Sequence, residues 1–305
     1  KKHSYPVIQN IFIGAYLLII GFSTYGMVVI RANVDTPINM NKPDNPMKLI
    51  PYLNREQYGE NKLLRGPYFD ARPVDMVTEP RYDVVDGKYK EVSQKIEYVY
   101  KSDDLVFFPR MPHADEMRKR LYRDFWMNGK QGKPSFLDNM SFFIRYQIGW
   151  MYWRYFMWNF TGRQNGEQGY FPWDPANGHW ISGITPLDNM RLYNQSELPE
   201  HYRNNESRNT YFFIPFILGL IGLIYQAKRR REEFFGLLAL FIITGIGIIV
   251  YANSPPNEPR ERDYVLVGSF FVYAMWIGMA VLAIYQYFKS KVSGTALAFG
   301  ASAIC

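Results

Sequence analysis

The sequence predicts an α-helical multi-pass membrane protein with an inserted external α+β domain. Four stretches carry no charged residue, and each approaches the length needed to cross a bilayer core of ~30 Å. A long polar region separates the first stretch from the second, so the mean hydropathy of -0.25 averages two unlike parts of the chain. The four uncharged stretches are Ser4–Ile30, Asn209–Ala227, Phe234–Asn257 and Tyr264–Phe288.

The composition excludes several other classes of protein. The 305 residues include one cysteine, Cys305, which rules out an internal disulfide framework and a cysteine-based zinc site. The four histidines are scattered without ligand spacing, so no metal site is predicted. Many of the basic residues behind the net charge of +7 lie beside the apolar stretches, where they orient a membrane protein, and we expect no nucleic-acid partner.

The first predicted span lies in residues 1–31, after Lys1 and Lys2. Residues 211–291 contain three more spans, starting near Tyr211, Phe234 and Tyr264. The loop 228–233 carries four consecutive basic residues, which favours a cytoplasmic position. Residues 292–305 start another apolar run and the chain does not begin with Met, so we expect a piece of a longer protein with a truncated further span.

The external domain is predicted to occupy residues 32–140. Asp86-Gly87 is a dipeptide favoured in two-residue turns, so the flanking segments are predicted to form a hairpin. A second strand pair, a short helix and a longer helix with early acidic and late basic residues are also expected. In chain order these elements are the helix Tyr52–Gly59, the hairpin strands Arg81–Val85 and Lys88–Val92, the strands Ile96–Tyr100 and Leu105–Phe108, and the helix His113–Met127.

Residues 141–210 begin with an aromatic segment, Ser141–Gln164, that has ten aromatic rings between Phe142 and Phe160. Its charges before Arg163 are Arg145 and Arg154, which an α-helix places on opposite faces. Rings in such numbers suit the membrane–water boundary. The charge rule favours a segment that is interfacial or re-entrant and buried against the bundle, with residues 32–210 facing outward; a spanning segment is the alternative, and it would move Lys1 and Lys2 outside.

The candidate binding residues are Arg260, Arg262 and Asp263, at the predicted external end of the last span, together with Arg145 and Arg154. Arginine binds phosphate through two parallel hydrogen bonds, and such contacts strengthen near a low-dielectric boundary. A salt-bridge network that ties the loop to the external domain is an equal alternative for the first three residues. For Arg145 and Arg154, snorkelling to lipid headgroups or structural pairing is the alternative.

Five motifs resemble a family of large Bacteroidota membrane proteins known as domain of unknown function 2723. The resemblance covers almost the whole chain in order, and its motifs are Tyr52–Gly59, Gly66–Ala71, Arg145–Asn165, His179–Ile184 and Pro259–Phe270. This family is classed with GT-C type glycosyltransferases, which are similar to protein O-mannosyltransferases. The resemblance implies a GT-C-like fold in the inner (cytoplasmic) membrane with an active site on the periplasmic side.

The resemblance also implies a reaction, in which a carboxylate, with or without a divalent metal, activates an acceptor hydroxyl on a protein or glycan. The hydroxyl attacks the anomeric carbon of a polyprenyl-phosphate-linked sugar, and the polyprenyl phosphate leaves. Arg260 and Arg262 would stabilise the developing phosphate charge. The catalytic carboxylate of such enzymes lies in the first external loop near the N-terminus, so we expect it outside these residues. The alternative is a non-catalytic membrane scaffold whose external domain docks a partner protein.

Overall fold

The computed structural model describes residues 6–34, 36–59, 62–257 and 263–289. By its internal contacts the chain divides into two compact units. The first consists of Lys1–Glu60 and Pro73–Lys101, and the second of Asn61–Arg72 and Ser102–Cys305. The predicted truncated span at 292–305 lies outside the described residues.

Among the described residues, three helices are long and apolar enough to cross a membrane: α1 (Pro6–Ala32), the helix Arg231–Ala252 and α11 (Asp263–Phe288). The sequence predicted a fourth, from Tyr211, but the helix there is α8 (Ile214–Arg229), which has 16 residues and measures ~24 Å. At this length α8 is shorter than a bilayer core. Pro215 lies in its first turn and Lys228 lies in its last turn.

The first unit contains α1, a short helix and a long hairpin. Helix α2 (Pro46–Leu53) begins with the side chain of Asn45 accepting the Lys48 amide and with Pro46 in its first turn. The predicted helix Tyr52–Gly59 is therefore wrong in its bounds: the helix starts earlier, and a single 3-10 turn, Glu56–Tyr58, follows it. The Asn45 cap fixes the start of α2, and the helix continues through Pro51.

The hairpin is confirmed about its Asp86-Gly87 turn, where both residues have positive φ. Its strands are longer than predicted, because β2 (Pro73–Val85) and β3 (Lys88–Tyr100) pair along almost their whole length. The predicted pairing of Ile96–Tyr100 with Leu105–Phe108 is wrong. Ile96 pairs with Thr78 within the hairpin.

The second unit begins with a small sheet of β1 (Arg65–Pro67) and β4 (Leu105–Phe107), in which Gly66 lies opposite Val106. The helix predicted at His113–Met127 is α3 (Glu116–Leu121), continued by π-helical turns at Tyr122–Trp126. It starts three residues late because the Asp115 side chain accepts the Arg118 amide and so fixes the N-terminus.

The aromatic helix is a continuous helix over residues 136–160 and so begins before the predicted Ser141. It consists of α4 (Phe136–Phe142), π-helical turns at Phe143–Arg154 and α5 (Tyr155–Phe160). Ser135 and Asp138 form a reciprocal capping box at its start. As expected, its C-terminal half is buried against the helices that follow, with Phe156 in contact with Tyr273 of α11 at 4.6 Å between ring centroids.

Helices α9 (Arg231–Ile242) and α10 (Ile248–Ala252) are the two ends of the second long helix, joined by π-helical turns at Ile243–Gly247. Helix α8 crosses α11 at Gly222, where a Cβ atom would lie 1.7 Å from the Trp276 carbonyl oxygen. The Trp276 indole donates to the Gln226 side chain at 2.8 Å. A glycine is therefore required for the two backbones to approach so closely.

Residues 161–213 are a connection with little regular structure. Short strands β5 (Gly162–Arg163) and β6 (Asn209–Thr210) pair and close it into a loop. Two short helices lie within it, α6 (Thr185–Arg191) and α7 (Glu200–Arg203). The buried Asp188 carboxylate accepts from the backbone and hydroxyl of Ser182 and holds the turn before α6.

Candidate functional site

A buried set of polar side chains joins the end of α10 to the aromatic helix. Asn253 ends α10 in the left-handed conformation and is fully buried. Its side chain donates to the Pro109 carbonyl at 3.0 Å and accepts from the Gln147 amide at 3.0 Å. Gln147 also donates to the Ser254 carbonyl at 3.0 Å. We call Arg110, Asn139, Gln147 and Asn253 the polar clamp.

Arg110 is the charged member of the polar clamp, and none of its surface is exposed. Its backbone amide donates to Asn139 at 2.8 Å, and its Nη1 donates to the Val250 carbonyl at 2.9 Å. That carbonyl belongs to the last turn of α10, where the helix dipole favours a cation. The guanidinium also lies 4.2 Å from the centre of the Phe108 ring. Burial lowers the pKa of Arg110 to about 10, which leaves it charged at neutral pH.

The polar clamp is incompletely satisfied within the described part of the chain. Nε and Nη2 of Arg110 and Oε1 of Gln147 are buried without a hydrogen-bond partner there. Two donors and one acceptor in the same network suit a water molecule or another small polar group, since an unpaired buried polar atom is costly. The network rigidifies the end of α10 all the same, because each of its four members makes at least one hydrogen bond across the sequence.

The polar clamp leads directly into the predicted binding loop. After Asn253, both Pro255 and Pro256 are buried, and the Asn257 amide donates to the Tyr146 hydroxyl at 3.0 Å. Arg260 and Arg262 lie outside the described residues, so the structure does not place them. Asp263 is the first residue of α11 and is exposed, where its charge also complements the helix dipole.

Arg154 lies in a second buried polar group and contacts carbonyl oxygens. Its Nε donates to the Trp150 carbonyl at 3.0 Å and its Nη1 to the Gly178 carbonyl at 2.7 Å. The guanidinium also lies over the Trp150 ring at 4.5 Å. With 4% of its surface exposed, Arg154 anchors the loop at Gly178 to the aromatic helix and is not presented to an external ligand. Of the candidates named from the sequence, it is the one whose surroundings favour the structural alternative.

Arg145 lies in different surroundings, because its side chain is exposed and its guanidinium is 5.7 Å from the centre of the Trp126 ring. This contact is a cation–π interaction at an exposed site, where such interactions are weak. The exposure leaves Arg145 able to meet a lipid headgroup or an anionic ligand. The two arginines of the aromatic helix therefore differ in their surroundings, although the sequence predicts the same candidate role for both.

His179 is the buried titratable neighbour of Arg154. Its Nε2 is 2.8 Å from the Asp174 carbonyl oxygen, and its ring packs edge-on against Trp150 with centroids 4.7 Å apart. Burial, together with the nearby charges of Arg191 and Arg154, lowers the pKa of His179 to about 4, against the smaller raising effect of its hydrogen bond with the Asp174 backbone. The imidazole is therefore neutral at physiological pH and serves as a structural hydrogen-bonding group.

Sequence reasoning missed the polar clamp. Arg110 stands between Pro109 and Met111 with no pattern that distinguishes it from a surface arginine. Asn253 carried a usable signal, because an Asn followed by Ser and two prolines is a helix C-terminal sequence. In the described part of the chain, no group of three or more His, Cys, Asp or Glu side chains is arranged to hold a metal ion.

One comparison with known proteins gives a match. A family model described as a family of unknown function, DUF8416, matches residues 59–144, which include the hairpin, α3 and the start of the aromatic helix. No curated protein matches the chain. No solved structure matches it either.

Proposed function

We propose that this chain is part of a membrane glycosyltransferase of the GT-C type, which transfers a sugar from a polyprenyl-phosphate donor to a protein or glycan acceptor on the periplasmic face of the inner membrane. The five motifs quoted above carry the resemblance that suggests this activity. The three helices in the described residues that are long and apolar enough to cross a membrane agree with a membrane enzyme. The catalytic carboxylate lies elsewhere in the whole protein under this proposal.

The observation that supports the proposal most is the fixed approach to the segment 258–262. On one side the Asn257 amide is held by Tyr146, and on the other side Asp263 starts α11. A polyprenyl-phosphate donor keeps its phosphate at the membrane surface, which is also where a spanning helix such as α11 ends. Two arginines next to such an end meet a phosphate in a region of lowered dielectric, where charge-assisted hydrogen bonds are strong.

In this proposal Arg260 and Arg262 bind the departing lipid phosphate and Asp263 orients one of the guanidinium groups. Negative charge grows on the phosphate as the glycosidic bond breaks, so contacts to it lower the barrier more than they tighten binding. The polar clamp contributes indirectly, because it fixes the residues Asn253 to Asn257 that precede the segment 258–262. Arg145, which is exposed, is available to a second anionic group of the donor or to lipid.

The test is the Arg262→Gln variant of the intact protein in liposomes, with turnover of a polyprenyl-phosphate sugar as the measurement. Loss of one transition-state contact lowers turnover ~10²-fold, and the melting temperature stays unchanged. The matched control is Arg203→Gln, at an exposed arginine of α7, which leaves turnover as it is. Unchanged turnover with a collapsed melting temperature would show that the arginine belongs to a structural salt network.

The second candidate function is the non-catalytic scaffold, whose external domain docks a partner protein. The exposed apolar residues of β2 and β3 would form one part of a larger docking surface in that case. The two functions differ in a direct assay, because a scaffold shows no sugar transfer with any polyprenyl-phosphate donor. Transfer by the purified intact protein would decide for the enzyme.

A further inference from the structure

The hairpin of the first unit has one apolar face and one charged face. Residues that pair across an antiparallel ladder share a face, and the register therefore sorts the side chains. One face has eight charged residues: Asp75, Glu79, Arg81, Asp83, Lys88, Lys90, Lys95 and Glu97. The other face, which we call the apolar face, is defined by Met76, Tyr82, Val84, Tyr89, Ile96 and Tyr98. It also has Thr78, Pro80, Gln94 and one charged residue, Glu91, which lies opposite Tyr82.

Nothing in the described part of the first unit covers the apolar face. Its six defining side chains are each between 49% and 68% exposed. The charged face, in contrast, is in contact with the rest of its unit near the turn. Arg81 pairs with Glu56 at 2.7 Å, and Asp83 pairs with Lys48 at 3.0 Å. The apolar face therefore looks away from α2.

A chain of hydrogen bonds ties the hairpin to the end of α1, the candidate membrane span of the same unit. The Asn33 side chain donates to the Val29 carbonyl at 2.8 Å and to the Asp44 carbonyl at 2.9 Å. The next residue, Asn45, donates to the Asp83 carboxylate of β2 at 3.0 Å. The hydrogen bond from Lys48 lowers the pKa of Asp83, so this link stays ionised at neutral pH. The hairpin is consequently held next to the point where α1 ends.

The area of the apolar face helps to identify its occupant. A strand of 13 residues is ~43 Å long, and two strands ~4.8 Å apart make a face ~10 Å wide, which gives ~430 Å². A stable protein–protein interface needs ~800 Å² from each partner, so this face alone is too small for a second copy or a free partner. A membrane surface needs much less area, because α1 already tethers the hairpin to it. The loss of translational and rotational freedom on association occurs when α1 inserts and is not repeated for the hairpin.

We propose that the apolar face lies in the headgroup region of the lipid bilayer, beside the end of α1. Three tyrosines among the six defining residues suit this region, since a tyrosine ring meets the acyl boundary while its hydroxyl stays wet. The charged face then lies on the side away from the lipid, toward α2 and water, as in an interfacial amphipathic element. The hairpin is thus a peripheral membrane contact that orients the first unit on the surface.

The test uses spin labels on single cysteines in a protein with Cys305 replaced by Ser. Labels replace Tyr89 and Ile96 on the apolar face and, as matched controls, their neighbours Lys88 and Glu97 on the charged face. The intact protein is reconstituted in vesicles of phosphatidylethanolamine and phosphatidylglycerol. Collision rates with oxygen, which concentrates in lipid, and with a water-soluble nickel complex are then measured for each label.

The proposal expects the ratio of oxygen to nickel collisions to be several-fold higher at 89 and 96 than at 88 and 97. Equal ratios at all four positions would show that the face is in water and would overturn the proposal. Immobilised labels at 89 and 96 that are shielded from both reagents would also overturn it, because a protein would then cover the face. Spin–spin broadening at those positions would identify that protein as a second copy.

Discussion

The hairpin and the aromatic helix have similar side chains but opposite surroundings. Both contain tyrosines among many other apolar residues, yet the aromatic helix buries Tyr152, Tyr155 and Phe156 whereas Tyr82 and Tyr89 of the hairpin are more than half exposed. The difference lies in the neighbours. The aromatic helix packs on α11, and its Tyr152 hydroxyl is 2.6 Å from Ser269. Residue type therefore shows what an element is able to bury, while the packing partner decides whether it does.

The sharpest test of this contrast compares one aromatic truncation in each region. Phe156→Ala should lower the free energy of unfolding by about 4 kcal/mol, because the ring fills a cluster between α5, α9 and α11. Tyr89→Ala should lower it by less than about 0.5 kcal/mol in detergent, where no bilayer interface is present. Thermal unfolding of the purified protein measures both. Similar losses in the two variants would mean that the hairpin is covered by protein after all.

A pair of glycine substitutions tests the close packing in the second unit. Gly222→Ala should destabilise the protein by about 3 kcal/mol, because the new methyl group meets the Trp276 backbone and cannot be accommodated by a rotamer change. Gly236→Ala is the control, since a Cβ there meets nothing within 4 Å and alanine favours a helix by about 1 kcal/mol. Melting temperatures moving in opposite directions support the crossing as described, and a tolerated Gly222→Ala would contradict it.

Acidification should weaken the second unit through its buried imidazoles. The pKa of His179 is lowered to about 4 in the folded state and is ~6.5 when unfolded, so the unfolded chain binds more protons between these values. Stability is then full above pH ~6.5 and falls by about 2 kcal/mol from this residue by pH 5. His179→Gln should show that much less pH dependence in its melting temperature. His113, whose pKa burial also lowers to about 4, should contribute in the same direction.

Local signals in the sequence located the elements that depend on local chemistry. The uncharged stretches gave α1 and α11, and Asp86-Gly87 gave the hairpin turn. The pairing of Leu105–Phe107 with Arg65–Pro67 was not predicted, because the sequence of a strand does not indicate which distant segment, here some 40 residues away, it pairs with. The strand Ile96–Tyr100 was assigned the wrong partner because the hairpin strands were predicted too short, so its pairing with β2 was not recognised.

The candidate site was predictable only in part. The sequence indicated which loop would carry the arginines, and the structure adds the polar clamp that fixes its approach. Arg110 could not be identified from its neighbours, since its burial results from Asn139 and Val250, which are distant in the chain. Arg154 was chosen for its charge in an apolar segment, and its carbonyl partners at Trp150 and Gly178 became visible only with the fold.

The wide turns of the aromatic helix bear on how its length can change. A π-helical turn closes its hydrogen bonds over five residues, so the stretch Phe143–Arg154 holds more residues per turn than an α-helix does. Removing one residue there lets a wide turn relax to an ordinary one while α4 and α5 keep facing the same neighbours. The same deletion within α5 would turn Phe160 away from Tyr273. Single-residue deletions are therefore expected to be tolerated in the middle of this helix and not at its end.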